Sequence, residues 1–204
     1  MSLNFVFLLI LFAALCHASW STIVKKSENG LAIMAMTSII EIIIFIPLVF
    51  TVPFPSLNIW FFIFATTFLH GFYRYSVITS YKYGDLSYVY PIARGGSVLI
   101  IGLISLLIIE SNISLLGIIG ILLVCFGLFM ISFLTAKKFN RVAFILALTT
   151  ASLIATYTIL DGIAVRKSEN SLSFIFWMLL LNGIPMLIYA LLSKNGLCKK
   201  NSYK

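Results

Sequence analysis

The sequence predicts an all-α, polytopic transmembrane helix bundle, and three observations carry that prediction. Hydrophobic residues make up 61% of the 204-residue chain and charged residues only 10%, too little charge to cover the surface of a water-soluble domain. The apolar residues form seven long runs, separated by short polar loops. Each run reaches the roughly 20 residues that a helix needs to cross about 30 Å of hydrocarbon. Lipid cannot hydrogen-bond an exposed backbone, so each run is expected to be helical, and the runs are too long and too uniformly apolar for barrel strands.

The first span is expected over residues 3–24, with His17, Ser19, Trp20 and Ser21 in its last turns. A signal-peptide or lipoprotein reading of the start is disfavoured. No Lys or Arg precedes the run, the apolar character continues to Val24, and Leu15 before Cys16 is a poor processing site. The second span covers 31–52 and is interrupted only by Glu41 and Pro47. The third, 57–80, begins aromatic and aliphatic and turns polar from His70 onward. Gly84 and Asp85 mark a turn, and the fourth span extends from there to Ile109. The fifth, 115–134, carries Gly117, Gly120 and Gly127, which are expected to let neighbouring backbones come close. The sixth and seventh are expected over 142–165 and 172–192, followed by a polar tail over 193–204.

The last two spans repeat the first two. Lys25-Lys26-Ser27-Glu28-Asn29-Gly30-Leu31 recurs as Arg166-Lys167-Ser168-Glu169-Asn170-Ser171-Leu172. Upstream, Ala14…Ala18-Ser19-Trp20-Ser21 returns as Ala151…Ala155-Thr156-Tyr157-Thr158, shifted by about one helical turn relative to the first match. This divides the chain into a five-helix unit over 1–136 and a partial second unit of two helices over 137–192. Five is odd, so the second copy must enter the bilayer from the opposite side. Inverted repeats of this kind are the architecture of secondary transporters.

The net charge of +8 does not indicate nucleic-acid binding, because the basic residues sit in short clusters between apolar runs. Lys25, Lys26, Lys82, Lys137, Lys138, Arg141 and the lysines of the tail fall on one side of the bundle. Arg166 and Lys167 fall on the other. The positive-inside rule then places the tail in the cytoplasm and the N-terminus outside. Cys16, Cys125 and Cys198 show neither disulfide nor metal spacing. No nucleophile–base set, phosphate loop or cofactor motif supports an enzyme, and no cofactor is expected.

Polar residues inside the spans are the candidate site. Glu41 lies about ten residues into the second span, near the bilayer midplane, where an ionised carboxylate is costly unless paired or hydrated. Its readings are proton coupling or substrate contact in a cavity, a neutral or paired glutamate that joins helices, and a surface position near one leaflet. In the repeat register it corresponds to Asn182. His70 and Arg74 share a helix face, and Arg94 lies two turns into the fourth span. Each arginine either snorkels to the headgroups or binds an anion or carboxylate within a cavity. Tyr73, Tyr88 and Tyr90 suit either a hydrogen-bonding wall or the interfacial aromatic belt. His17 and Trp20 lie three apart, as cavity lining or as a helix contact and an interface anchor. Asp161 either faces the same cavity or ends its helix. Pro91, lacking a donor, is expected to free backbone carbonyls near Arg94.

The stretch Ala13-Ala14-Leu15-Cys16-His17-Ala18-Ser19-Trp20…Lys25 resembles the first helix of EamA-type members of the drug/metabolite transporter superfamily, with Ser21 where they often carry Asn. The run Tyr83-Gly84-Asp85-Leu86-Ser87-Tyr88-Val89-Tyr90-Pro91-Ile92-Ala93-Arg94-Gly95 is similar to their third-to-fourth helix junction. Glu110 fits the glutamate that usually ends the fourth helix, although Ile109 and Ser111 replace its usual neighbours. Tyr157-Thr158…Asp161-Gly162 resembles the start of the second half. The likeness covers the whole chain but only about seven-tenths of a typical member. It implies a ten-helix carrier of two inverted five-helix repeats, moving small metabolites or drugs across the cytoplasmic membrane. It also implies cytoplasmic termini in the complete protein, whereas seven spans place the termini on opposite sides. The expected cavity is lined by the first, third, fourth and sixth helices. Glu41 would couple protons or pair a carboxylate there, Arg74 and Arg94 would recognise an anion, and His17, Trp20, His70, Tyr73 and Tyr90 would shape the walls. With two of the second repeat's five helices present, the chain is expected not to transport as a monomer. A homodimer closed at Gly117, Gly120 and Gly127, or a non-transporting membrane protein or partner subunit, are the alternatives.

Overall fold

The structure is a computed structural model and describes residues 3–107, 113–135 and 139–193. Eight helices account for nearly all of them: α1 (Leu3–Lys26), α2 (Gly30–Val49), α3 (Leu57–Tyr83), α4 (Leu86–Leu107), α5 (Leu115–Thr135), α6 (Arg141–Lys167), α7 (Ser171–Asn182) and α8 (Ile184–Leu192). The described residues contain no strand. Glu110, Lys137, Lys138, Cys198 and the rest of the tail lie outside the described residues, so the expectations placed on them are not addressed.

Among the described residues, six helical segments are long and apolar enough to cross a membrane: α1, α2, α4, α5, α6 and the α7–α8 pair. The molecule is therefore a multi-pass membrane protein. The sequence predicts seven spans, and α3 is the segment that does not qualify. At 27 residues it is long enough, but its second half carries His70, Arg74, Ser76, Ser80, Tyr81 and Lys82. Packing resolves the conflict. Thr66, Thr67, Arg74, Ser76 and Ser80 are all buried, because they lie on the face of α3 that packs along α6, α7 and α8, while Phe61, Phe64, Phe68 and Phe72 occupy its exposed face. A helix face shielded from lipid by its neighbours can carry polar residues that an outer face cannot.

The repeated loop letters have a local structural cause. Asn29 caps α2 by accepting from the Ala32 N–H at 3.1 Å, and Asn170 caps α7 by accepting from the Ser173 N–H at the same distance. Asn140 does the same for α6 with Val142 and Ala143. An N-cap side chain satisfies one of the orphan donors of the first turn.

Tertiary bonds place the two capped loops at opposite ends of the bundle. Lys25 Nζ donates to the carbonyls of Tyr81 and Gly84 at 2.7 and 2.8 Å, fixing the α1–α2 loop beside the end of α3. The cation also complements the negative C-terminal end of that helix. Ser173 Oγ donates to the Pro53 carbonyl at 2.5 Å, so the α6–α7 loop lies beside the α2–α3 connection. Helices α2 and α7 cross antiparallel, since Ser38 meets Gly183 while Phe45 stacks on Phe176 at 5.9 Å.

Two expectations need correction. The seventh span is not one helix; it breaks at Gly183 into α7 and α8. Pro185 cannot donate to the carbonyl one turn back. A Cβ on Gly183 would also lie 2.8–3.0 Å from Ser38 Cβ, Cα and O, so the backbones touch where the break occurs. The glycines of α5 do not bring backbones together within the chain. Gly120 and Gly127 face open space, and Gly117 touches only Ile113 and Ser114 of its own chain end. The close approaches lie on α3, α4 and α7–α8 instead. Gly71 abuts Pro185, Gly95 abuts Leu128 of α5, and Gly96 abuts Ala151 of α6.

Pro91 leaves α4 continuous. It supplies no N–H to the Ser87 carbonyl, which instead accepts from Thr135 Oγ1 at 3.1 Å. The neighbouring Tyr88 carbonyl accepts from Ser132 Oγ at 2.8 Å, and the Gly95 carbonyl from Cys125 Sγ at 3.4 Å. Hydroxyls and a thiol of α5 thus reach three carbonyls of α4, and the Thr135 bond supplies the donor that Pro91 withholds, as a backbone in hydrocarbon requires.

Candidate functional site: a polar slot between α1, α3, α4 and α6

Helices α1, α3, α4 and α6 enclose a narrow slot lined by His17 and Ser21 of α1, Tyr73, Ser80 and Tyr81 of α3, Tyr90 and Arg94 of α4, and Thr150 and Ile154 of α6. At its core it has room for about one water molecule. The residues converge because each helix offers polar positions one or two turns apart on its inner face. On α3, Tyr73, Ser76 and Ser80 follow this spacing, and Ser76 Oγ is 2.7 Å from Thr150 Oγ1.

Arg94 is the charged group of the slot. Its Nη2 donates to His17 Nε2, so that nitrogen carries a lone pair and the imidazole is neutral. The guanidinium carbon lies 5.8 Å from the Tyr90 ring centroid, a cation–π contact. The His17 ring is 5.5 Å from Trp20 and 6.1 Å from Tyr90. Arg94 is thus held by a ring nitrogen and one aromatic face, with no carboxylate partner among the described residues. Such a cation keeps most of its positive field available to an anionic group.

Arg74 is arranged otherwise. Its Nη2 donates to both carboxylate oxygens of Glu41 at 2.5 and 2.7 Å, and its Nη1 to Ser38 Oγ at 3.1 Å. Ser38 in turn donates to the Met34 carbonyl at 2.8 Å. The side chains of Arg74 and Glu41 are 8% and 26% exposed. This cluster joins α2 to α3 at the level where Gly183 presses on Ser38, and it does not border the slot. Of the readings of Glu41, the paired one describes its geometry. Asn182, its counterpart in the repeat register, is buried next to the same crossing.

The remaining predicted residues divide accordingly. Tyr73, Tyr90 and His17 border the slot with Arg94, and Trp20 packs on His17. His70 lies apart, its ring 4.0 Å from Tyr157 and its Nδ1 2.9 Å from the Thr66 carbonyl. Tyr157 also packs edge-on against Tyr73 at 5.5 Å, linking His70 to the slot through an aromatic chain. Asp161, one turn beyond Tyr157 on α6, has a carboxylate oxygen, Oδ1, buried without a hydrogen-bond partner. Tyr88 belongs to the buried apolar core and does not border the slot.

Sequence reasoning missed Tyr157, Ser38, Ser80 and Thr150 as participants. Tyr157 was accessible, because the repeat aligns it with Trp20. The three hydroxyls carried no signal of their own, since Ser and Thr are ordinary tenants of membrane helices. No three His, Cys, Asp or Glu side chains among the described residues are grouped to hold a metal ion. Comparison with known proteins adds no relative: no family model, no curated protein and no solved structure matches this chain, and the likeness to EamA-type transporters stands on the residues quoted above.

Proposed function

We propose that the chain is an EamA-like secondary transporter of small metabolites or drugs in the cytoplasmic membrane, with the slot at Arg94 as its substrate site. On this reading α3 is a seventh span, and α6 and α7–α8 are an inverted copy of α1 and α2. One observation carries the proposal. Arg94, two turns into its span, faces the interior of the bundle with no carboxylate partner among the described residues, beside His17, Tyr73 and Tyr90 on three different helices. Ionisable groups inside spans characteristically mark substrate or ion pathways. A substrate carboxylate or phosphate would supply the charge that Arg94 lacks, and the tyrosines would orient its remainder. The slot is too narrow for a metabolite in this conformation, so binding requires the four helices to separate, as alternating access demands.

A second reading is that the chain does not transport alone and works as a partner subunit or not at all. The observation in its favour is α1, which forms one wall of the slot yet is almost wholly exposed on its outer side. A second copy could cover that face.

The deciding experiment is uptake by liposomes reconstituted with the purified chain and a mixture of metabolites. Saturable uptake that disappears in Arg94→Ala supports transport through the slot. Equal leak from wild type and Arg94→Ala would overturn it and leave the second reading.

A further inference from the structure

A groove of about 620 Å³ runs along the outside of the bundle between α3 and α8, on a different face of α3 from the slot. Phe64, Phe68 and Tyr75 form one wall, Ile184, Ile188 and Tyr189 the other. Its floor is the contact of Gly71 with Pro185, and Tyr75 meets Tyr189 edge-on at 5.4 Å, four residues further along each helix. The two walls therefore run in the same direction. The volume falls within the roughly 300–1,000 Å³ of ordinary ligand sites, and the walls are almost entirely hydrocarbon.

The face of α3 that lines this groove ends in a charge. Phe64, Phe68, Tyr75 and Lys82 follow one another at intervals of four, seven and seven residues, which keeps them on a single stripe of the helix. Lys82 is exposed and lies in the last turn of α3. It stands about 10 Å beyond Tyr75 and about 27 Å beyond Phe64, at roughly 1.5 Å per residue. A lipid phosphate at Lys82 would set its glycerol above the tyrosine pair. A long acyl chain would then descend between the walls towards Phe64. Tyrosines at the headgroup end and a basic residue beyond them are the ordinary order of groups at a membrane interface.

We propose that this groove is a specific lipid site, holding one acyl chain of an anionic phospholipid whose phosphate is bound by Lys82. The charge complementarity selects the headgroup, and the length of the stripe selects a diacyl lipid over a short detergent. The site is independent of the transport reading, because no residue of the groove borders the slot.

Native mass spectrometry of the detergent-purified chain tests it, with phosphatidylglycerol and phosphatidylcholine of the same acyl composition added in parallel. One phosphatidylglycerol should be retained at collision energies that strip phosphatidylcholine. Lys82→Ala should lower the preference about five-fold, the ratio equivalent to the ~1 kcal/mol of one lysine near an anionic headgroup. Ile188→Trp, which fills the groove from its exposed wall, should reduce retention of both lipids. Lys82→Ala alters only an exposed side chain and decides the question even if Ile188→Trp does not fold. Equal retention of the two lipids by wild type, or an unchanged preference in Lys82→Ala, would overturn the proposal. So would a dimer that Ile188→Trp dissociates, because a second copy would then be the occupant.

Discussion

Two arginines lie inside this bundle, and the protein treats them in opposite ways. Arg74 is neutralised by both oxygens of Glu41 and tied to Ser38, within a cluster that joins α2 to α3. Arg94 rests on a neutral imidazole and a tyrosine face, in a slot shared by four helices. The first arrangement uses up the charge to make a joint. The second supports the charge and leaves it available. Residue type and depth are similar at the two sites, so function follows from partners rather than from the presence of an arginine.

The largest effect should come from taking the counter-charge away at the joint. Glu41→Gln leaves the Arg74 guanidinium buried without a carboxylate, and removal of one member of a buried pair costs about 3–5 kcal/mol. Thermal unfolding in detergent should show a large loss of stability, near the lower figure because Glu41 is partly exposed. Arg94→Ala should cost far less, about 1 kcal/mol for a lost hydrogen bond to a neutral partner, and should abolish substrate binding. Equal destabilisation by the two variants would erase the distinction between joint and site.

A comparable loss is expected at the crossing beside the joint. Gly183→Val introduces a branched side chain where Ser38 backbone atoms lie within 3.0 Å of the first carbon. Overpacking of this kind costs about 1–3 kcal/mol. Gly127→Val, on a helix where a Cβ meets nothing, should leave the unfolding temperature unchanged. If Gly127→Val proves the more damaging, α5 is packed against another molecule, and the midpoint should then depend on protein concentration.

Smaller changes refine the contrast. His17→Phe keeps a ring beside Trp20 but removes the acceptor for Arg94. Stability should fall by about 1 kcal/mol, while affinity for an anionic ligand is altered. Asn170→Ala removes the cap of α7 and should cost about 1 kcal/mol in the same unfolding assay, with no effect on ligand affinity. A change in affinity there would mean that the slot senses the far end of α6.

Much of this organisation was legible in the letters. The helices follow the apolar runs to within a few residues. The repeated Ser-Glu-Asn marks loops in which Asn29 and Asn170 cap the next helix, so that match had a direct physical meaning. His17, Tyr73, Tyr90 and Arg94, singled out for their places inside spans, do border one slot, together with Thr150 and Ile154 of α6. Partner choice was not legible. Glu41 and Arg74 lie 33 residues apart in the chain, and only packing decides that Glu41 faces Arg74 while Arg94 faces His17. The break at Gly183 had a visible cue in Pro185, yet hydropathy runs unbroken across it, because apolar side chains do not register a lost backbone bond. The outlier status of α3 has the reverse origin: hydropathy scores its polar residues against lipid, whereas most of them face other helices.

The bonds from α5 to α4 have a mechanical consequence. Thr135, Ser132 and Cys125 reach the carbonyls of Ser87, Tyr88 and Gly95, along more than two turns of α4 on either side of Pro91. A proline ordinarily makes a helix a hinge, because the turn preceding it is short of a bond. Here the missing strength is lent by a neighbour, which splints the weak turn. Arg94 therefore sits on a two-helix unit, and under the proposed transport any movement of Arg94 across the slot would carry α5 with it.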